Sequence, residues 1–280
     1  MSVSLPARNA DGDAVVPLTD EQRYLFDTRG WLLFPALISE EELKPMREFF
    51  MRLKDDSESL PEHERSTIGG PLLPSIDHPA LVGFCNEFVA HGILAGEQSY
   101  GFRLESSAMY YRPAGFDSFR PHGGQGFLNL GGNSHVYRME RDRAFSGLTR
   151  MVWELNPVRK GFGGTKFLSG SHKAAFAMPK CAAEDRNSAL WETYECPAGS
   201  LLVFTEAISH TGDLWSDEEH DRLAVFRCYN AVGSKWHEWE PHPKLVETMP
   251  PLRRSLFRSV NCQNNLIGLI LAVLVGTIAQ

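Results

Sequence analysis

SLLVFT (Ser200–Thr205) and RLAVFRCYN (Arg222–Asn230) are the stretches on which the reading of the fold turns. Both are short, dense in Val, Phe, Leu and Tyr, and bounded by Gly or polar residues, the pattern of β-strands. Three further runs of this kind lie upstream: RLESSAMYYR (Arg103–Arg112), GLTRMVWEL (Gly147–Leu155) and GTKFL (Gly164–Leu168). Gly, Pro and Asn fall between them. Short strands so closely spaced predict a β-sandwich or barrel from Phe102 to Tyr229.

Before Phe102 the pattern is helical. In TDEQRYLFDTRG, Thr19 or Asp20 is a candidate N-cap, Tyr24, Leu25 and Phe26 are apolar, and Gly30 is a stop, so a short helix is expected. Trp31 to Phe34 reads as a strand. Ser39 and Glu42 have capping-box spacing ahead of Leu43, Met46, Phe49, Phe50 and Leu53, with Pro45 expected to delay or kink the helix. Ala80 to Ala95 reads as another amphipathic helix through Leu81, Phe84, Phe88, Val89 and Ile93, and the chain beyond Trp236 as helical or irregular. The fold class is therefore mainly β with flanking helices (α+β). One domain is expected over residues 19–260, after a loose polar arm at 1–18 and before an apolar tail at 261–280.

Composition narrows the partners. The 280 residues carry a net charge of −7, against a nucleic-acid polymer or an anionic membrane surface, since both reward clustered Lys and Arg. A small-molecule partner is expected. The five cysteines, Cys85, Cys181, Cys196, Cys228 and Cys262, are scattered and read as reduced thiols. Met1 to Leu18 lacks a basic segment followed by an apolar run, so the cytoplasm is the expected location. Leu266 to Ile278, if helical, would reach about 20 Å, short of the roughly 30 Å hydrocarbon core, so no membrane span is expected there.

The chemistry is carried by features in fixed order within the β-region: Pro121-His122-Gly123-Gly124, Trp153, the turn Gly163 to Lys173 (GGTKFLSGSHK), and His210 followed by Arg222. Taken together they resemble the phytanoyl-CoA dioxygenase family of Fe(II)/2-oxoglutarate oxygenases, from about Thr19 to Tyr229 and including the GWLLFP opening at Gly30. The resemblance implies a double-stranded β-helix (jelly-roll, cupin-like) core with Fe(II), 2-oxoglutarate and O2 as cofactors. It places His122 and His210 on the metal, Arg222 on the far carboxylate of 2-oxoglutarate and Trp153 beside that cosubstrate, and it makes His172 structural. Two neutral imidazoles suit ferrous iron, and a planar, permanently charged fork suits a carboxylate. Arg227 is the alternative clamp, but it is an odd number of residues from Arg222, so one strand cannot present both to one face. Glycines 163, 164 and 170 are expected where positive φ or close backbone approach is needed.

Gly124 departs from the family's H-x-D pattern, since it stands where the Asp ligand is expected. In the wider superfamily H-x-G marks radical halogenases in which chloride occupies the vacated position, so Gly124 implies an open halide site and chlorination of a small molecule. The alternatives are a hydroxylase whose third ligand is Glu140, Asp142 or water, and a non-catalytic small-molecule-binding jelly roll. Arg120, His135 and Tyr137 are the first candidate substrate contacts, with Arg103, Tyr110, Asn129 and Asn133 nearby in sequence. Trp191, Trp215, Trp236 and Trp239 are candidates for an aromatic wall.

Overall fold

In the computed structural model, Thr19 and Ser39 start the N-terminal helices as their spacing requires. Residues 5–124, 135–140 and 142–260 are described, so Asn129, Asn133 and the tail from Leu266 to Ile278 lie outside the described residues. Helix α1 (Asp20–Arg29) opens on a reciprocal capping box between Thr19 and Gln22 and closes on Gly30 at φ 83°. After β1 (Trp31–Phe34), α2 (Glu40–Asp55) opens on the Ser39/Glu42 box and runs through Pro45. The expected delay does not occur, since the helix starts at Glu40 ahead of Pro45: one lost backbone bond is offset by burial of Leu43, Met46, Phe49 and Phe50 on one face. Helix α3 (Pro79–Phe88) ends before the expected boundary at Ala95. Cys85 O accepts from both Val89 N and Ala90 N, the chain leaves helical geometry there, and Ile93 is exposed rather than packed.

The remaining strands are β2 (Phe102–Arg112), β3 (Tyr137–Glu140), β4 (Arg143–Ser146), β5 (Thr149–Glu154), β6 (Thr165–Phe167), β7 (Ser200–Thr205), β8 (His210–Gly212) and β9 (Arg222–Ala231). Helices α4 (Lys180–Ala183), α5 (Pro243–Thr248) and α6 (Pro251–Arg254) complete the α-helices among the described residues, with 3-10 turns between elements, of which Gly70–Asp77 is the longest. Five strands form one antiparallel sheet in the order β1-β7-β5-β9-β2. Strands β6 and β8 form a second antiparallel pair, and β3–β4 a hairpin.

Alternation along the large sheet separates two cores. Met151, Trp153, Leu201, Val203, Leu223 and Val225 face the N-terminal helices, packing with Phe26, Phe50 and Phe84. Their neighbours Val152, Leu202, Phe204 and Ala224 face the β6–β8 pair, packing with Trp31, Phe167 and Trp215. Phe167 bridges the layers: it stacks on Trp31 with centroids 5.1 Å apart and meets Phe204 edge-on at 5.2 Å. The sheet is therefore buried on both sides.

The arm is not loose over its described part. Val16 N donates to Pro79 O (3.3 Å), Asn86 Nδ2 to Pro6 O (3.3 Å), and Arg253 Nη2 to Asp11 Oδ2 (2.5 Å). Arg253 also holds buried Asp77, which accepts from Tyr100 as well, so the arm, the first helical layer and the C-terminal helices share one polar knot. Backbone contact compensates for the arm's polar composition. No helix among the described residues is long and apolar enough to cross a membrane.

Gly83 is where the arm comes closest to α3, since a Cβ there would lie 1.8 Å from Val16 O. Gly83→Ala is expected to displace the arm and cost about 1–3 kcal/mol, lowering Tm by several degrees for a chain of this size. Thermal unfolding checks this, and an unchanged Tm would mean that the arm contributes nothing.

Candidate active site

His122 and His210 are joined by an isolated antiparallel bridge: His122 N donates to His210 O (3.0 Å) and His210 N to His122 O (2.8 Å). Residues paired this way present their side chains to the same face, and the ring centroids are 4.2 Å apart. Each ring is oriented by the carbonyl two residues before it. His122 Nδ1 donates to Arg120 O at 2.7 Å and His210 Nδ1 to Ile208 O at 2.9 Å. A carbonyl can only accept, so in each neutral ring the proton sits on Nδ1 and the Nε2 lone pair is left for a Lewis acid. His210 is buried against Phe204; burial, opposed by nearby Glu206, pushes its pKa down to about 4, so it is neutral near pH 7. His122 is exposed at the rim. Arg120 contributes backbone: its N donates to Thr211 Oγ1 (2.8 Å), while the residue as a whole is exposed.

The carboxylate near this pair was not among the sequence candidates. Glu140 ends β3 on the exposed side, and Asp142 lines a surface cleft beside Asp20, Arg23 and Tyr24 of α1. The β3–β4 hairpin packs on the helices, with Arg143 bonded to Ala90 O, and this carries both acids away. Glu206 is present instead, buried in the turn between β7 and β8, with Oε2 3.8 Å from His210 Nε2. Its Oε1 accepts from Arg150 Nε at 2.5 Å. Burial opposes its charge, but Arg150 and His210 outweigh burial and hold the carboxyl at about 2. Gly124 adopts φ +90°, and the three atoms nearest a Cβ there belong to Ser209, with Oγ at 2.5 Å. A side chain at 124 would start toward Ser209.

A second polar cluster lies on the same interior face. Arg222 Nε and Nη2 grip Glu154 (3.1 and 2.5 Å), and Nη2 also donates to Tyr194 Oη (3.0 Å). Arg112 is the cross-strand partner of Arg222, and its Nη1 donates to Ser118 Oγ (2.8 Å). That guanidinium comes within 2.8 Å of where a Cβ on Gly212 would be, two residues past His210 in the chain, so a side chain at 212 would have to displace it. Arg222 Nη1 and Arg112 Nε have no hydrogen-bond partner, and the only carboxylate bonded within the cluster, Glu154, is held by Arg222. Burial and then the Arg222 charge push the Arg112 pKa down to about 10. The cluster has an unmet positive charge and suits a small carboxylate. Arg227 faces the other way, donating to Ser75 Oγ, Thr67 O and Leu72 O.

Two sequence candidates are corrected by parity and packing. Trp153 points away from Arg222 into the helical core, where its indole donates to Ser75 O (3.2 Å), so it does not border the interior face. Tyr137 is buried against α1, its hydroxyl on Asp27 (2.7 Å) and its ring edge-on to His172. His172 is itself fully buried with Nε2 on Asp27 O (2.9 Å). His135 does approach the site: it packs edge-on against Trp236 at 4.5 Å, and burial lowers its pKa while Glu206 and Glu105 pull it back. Tyr110 lies on the interior face against Phe226 (4.4 Å). The four tryptophans form no common wall, since Trp191 bonds Ala182 O, Trp215 bonds His220 O and Trp239 packs near Phe257. Glu206, Arg150, Arg112 and Glu154 were missed. Their signal was the alternation Arg150-Val152-Glu154 and the cross-strand match of Arg112 to Arg222, readable only with register in hand.

No protein-family profile and no curated protein matches this chain. Solved structures do. HygX from Streptomyces hygroscopicus, with nickel, 2-oxoglutarate and hygromycin B bound, is similar at 21% identity and TM-score 0.62 over 80% of this chain and 90% of that one. SnoK, a non-heme alpha-ketoglutarate-dependent carbocyclase from nogalamycin biosynthesis, is similar at 13% identity and TM-score 0.54 over 89% and 96%. The non-heme monooxygenase ThoJ, as its nickel complex, gives 16% and 0.51 over 75% and 76%. The chain shares the fold of these three proteins.

Trp153→Phe tests the corrected placement. It should lower stability by about 1–3 kcal/mol through lost packing and an unpaired Ser75 carbonyl, while 2-oxoglutarate affinity stays within twofold. Isothermal titration of 2-oxoglutarate on the folded variant reads this, and a tenfold loss would return Trp153 to the binding face.

Proposed function

We propose that the chain is an Fe(II)/2-oxoglutarate-dependent oxidoreductase of the phytanoyl-CoA dioxygenase type, with a double-stranded β-helix core, that oxidises an unactivated C–H bond of a free small molecule. The observation that carries this reading is the pair of imidazoles on bridged backbone, each with Nδ1 tied to a backbone carbonyl and Nε2 free. These donors fit a divalent metal held by His122 and His210. The partnerless nitrogens of Arg222 and Arg112 fit the far carboxylate of 2-oxoglutarate. Bound there, iron with 2-oxoglutarate and O2 would supply the oxidising chemistry.

The protein's own residues hold, orient and dry the site. The Arg120 and Ile208 carbonyls hold the Nδ1 proton of each ring, so in the neutral form the Nε2 lone pair is the one left for a metal. Glu154 and Tyr194 fix the Arg222 fork before any ligand arrives, which lowers the ordering cost of binding. Phe204 covers one side of His210 and excludes water. Tyr110, Phe226, His135 and Trp236 offer an aromatic mouth with a polar edge, suited to a free organic molecule. That HygX is seen with hygromycin B is in keeping with a small-molecule substrate.

A second reading, chlorination, is favoured by one observation: Gly124 has no side chain to offer a metal. The two readings differ in product mass.

Three outcomes are expected. Anaerobic addition of Fe(II) and 2-oxoglutarate should give a weak visible metal-to-ligand band, whose absence would make this a binding protein. Arg222→Lys should weaken 2-oxoglutarate tenfold or more, because a charge-assisted bond is worth about 1.5–3 kcal/mol and a point charge cannot replace the fork. Product mass should show added oxygen regardless of chloride or bromide; a halogenated product would establish the second reading.

A further inference from the structure

We infer that Glu206, from the turn before β8, is the carboxylate that completes the metal site with His122 and His210. This rests on the reading above that the two histidines hold a metal. Phe204 and Glu206 lie two residues apart at the end of β7, and Glu206 N continues the pairing with β5 by donating to Leu148 O (2.8 Å), so both side chains enter the interior face. Phe204 covers the His210 ring on that face, and Glu206 Oε2 stands 3.8 Å from His210 Nε2, the atom left free for a metal.

Two ligand atoms at right angles, each about 2.1 Å from one ion, are about 3 Å apart, so a small rotation of the carboxylate brings Oε2 into range. Arg150 bonds only Oε1, and among the described residues no hydrogen bond is made to Oε2. A metal-bound carboxylate is characteristically held in this way, with one oxygen fixed by a neighbour and the other presented. The backbone at Gly124 argues the same point from the other side. It has positive φ, and a Cβ there meets Ser209 Oγ at 2.5 Å, so the H-x-D position serves the approach of the His122 strand to Ser209. Glu206 thus takes over a ligand position at a different place in the chain. The site then has two imidazoles and a carboxylate, the third position is closed to halide, and the chemistry is oxygenation.

Metal binding tests this without turnover. The direct measurement is a crystal structure of the wild-type protein loaded with Ni(II). Metal bound by His122, His210 and Glu206 Oε2 supports the assignment; metal on the histidines with Glu206 still bonded to Arg150 alone overturns it. Failure of the wild type to bind Ni(II) at all would overturn the two-histidine reading itself, a distinct result. In solution, Glu206→Gln keeps the bond from Arg150 and should bind Ni(II) at least tenfold more weakly by calorimetry, with a correspondingly smaller metal-induced rise in Tm. Glu206→Asp keeps the charge beside Arg150 and should show the same loss through shortened reach. Wild-type affinity in a folded form of either variant would make Glu206 a counter-charge to Arg150 and no more.

Discussion

The reciprocal backbone bridge between His122 and His210 is the constraint on which the site depends. Side chains cannot hold two imidazoles at this spacing unless the backbone carrying them is already paired. The bridge sets the ring separation, and the carbonyls of Arg120 and Ile208 then set which nitrogen carries the proton. Both orienting groups are main-chain atoms from the residue two before each histidine. Orientation therefore comes with the extended geometry itself and needs no particular neighbouring side chain.

Around that pair, strand parity distributes the charged groups. Arg150, Glu154 and Arg222 enter the interior from strands β5 and β9, whereas Trp153, next to Glu154 on β5, and Arg227, an odd number of residues from Arg222 on β9, are turned to the helical core. Guanidinium groups are buried on both faces, each satisfied differently. Arg227 is held by carbonyls and a hydroxyl, Arg222 by Glu154 and Tyr194, and Arg112 by Ser118, and each of the three keeps one buried nitrogen without a hydrogen-bond partner. A buried group left partly unsatisfied costs stability, and such a cost persists where a ligand makes use of it.

The C-terminal segment closes one end of the interior. Glu105, at the β-bulge in β2, accepts from Asn230, from the backbone of Trp236 and from His237, and this brings Trp236 against His135. Helices α5 and α6 follow, and Arg253 of α6 returns to Asp77 and Asp11. The described arm and helix α6 are thus bound to the same layer, which keeps the helical face of the large sheet covered while the opposite face keeps its polar lining.

Much of this was legible in sequence because it is local. Capping boxes at Thr19 and Ser39, the stop at Gly30, the strand runs and the positive-φ glycines of the GGTKFLSGSHK turn depend on residues within a few positions of one another. The order of His122, His210 and Arg222 also carries information, since strand order brings them to one face. Other features depend on register and on contacts between distant segments: the packing of the arm on α3, the withdrawal of Tyr137 and Trp153 into the core, the cross-strand match of Arg112 to Arg222, and the placement of Glu206 beside His210. A shift of one residue in pairing would send each of these to the opposite face. Sequence by itself singled out His122, His210 and Arg222 as one constellation; the tertiary structure decided which carboxylate stands beside the histidines, because only the turn between β7 and β8 sets the direction of Glu206.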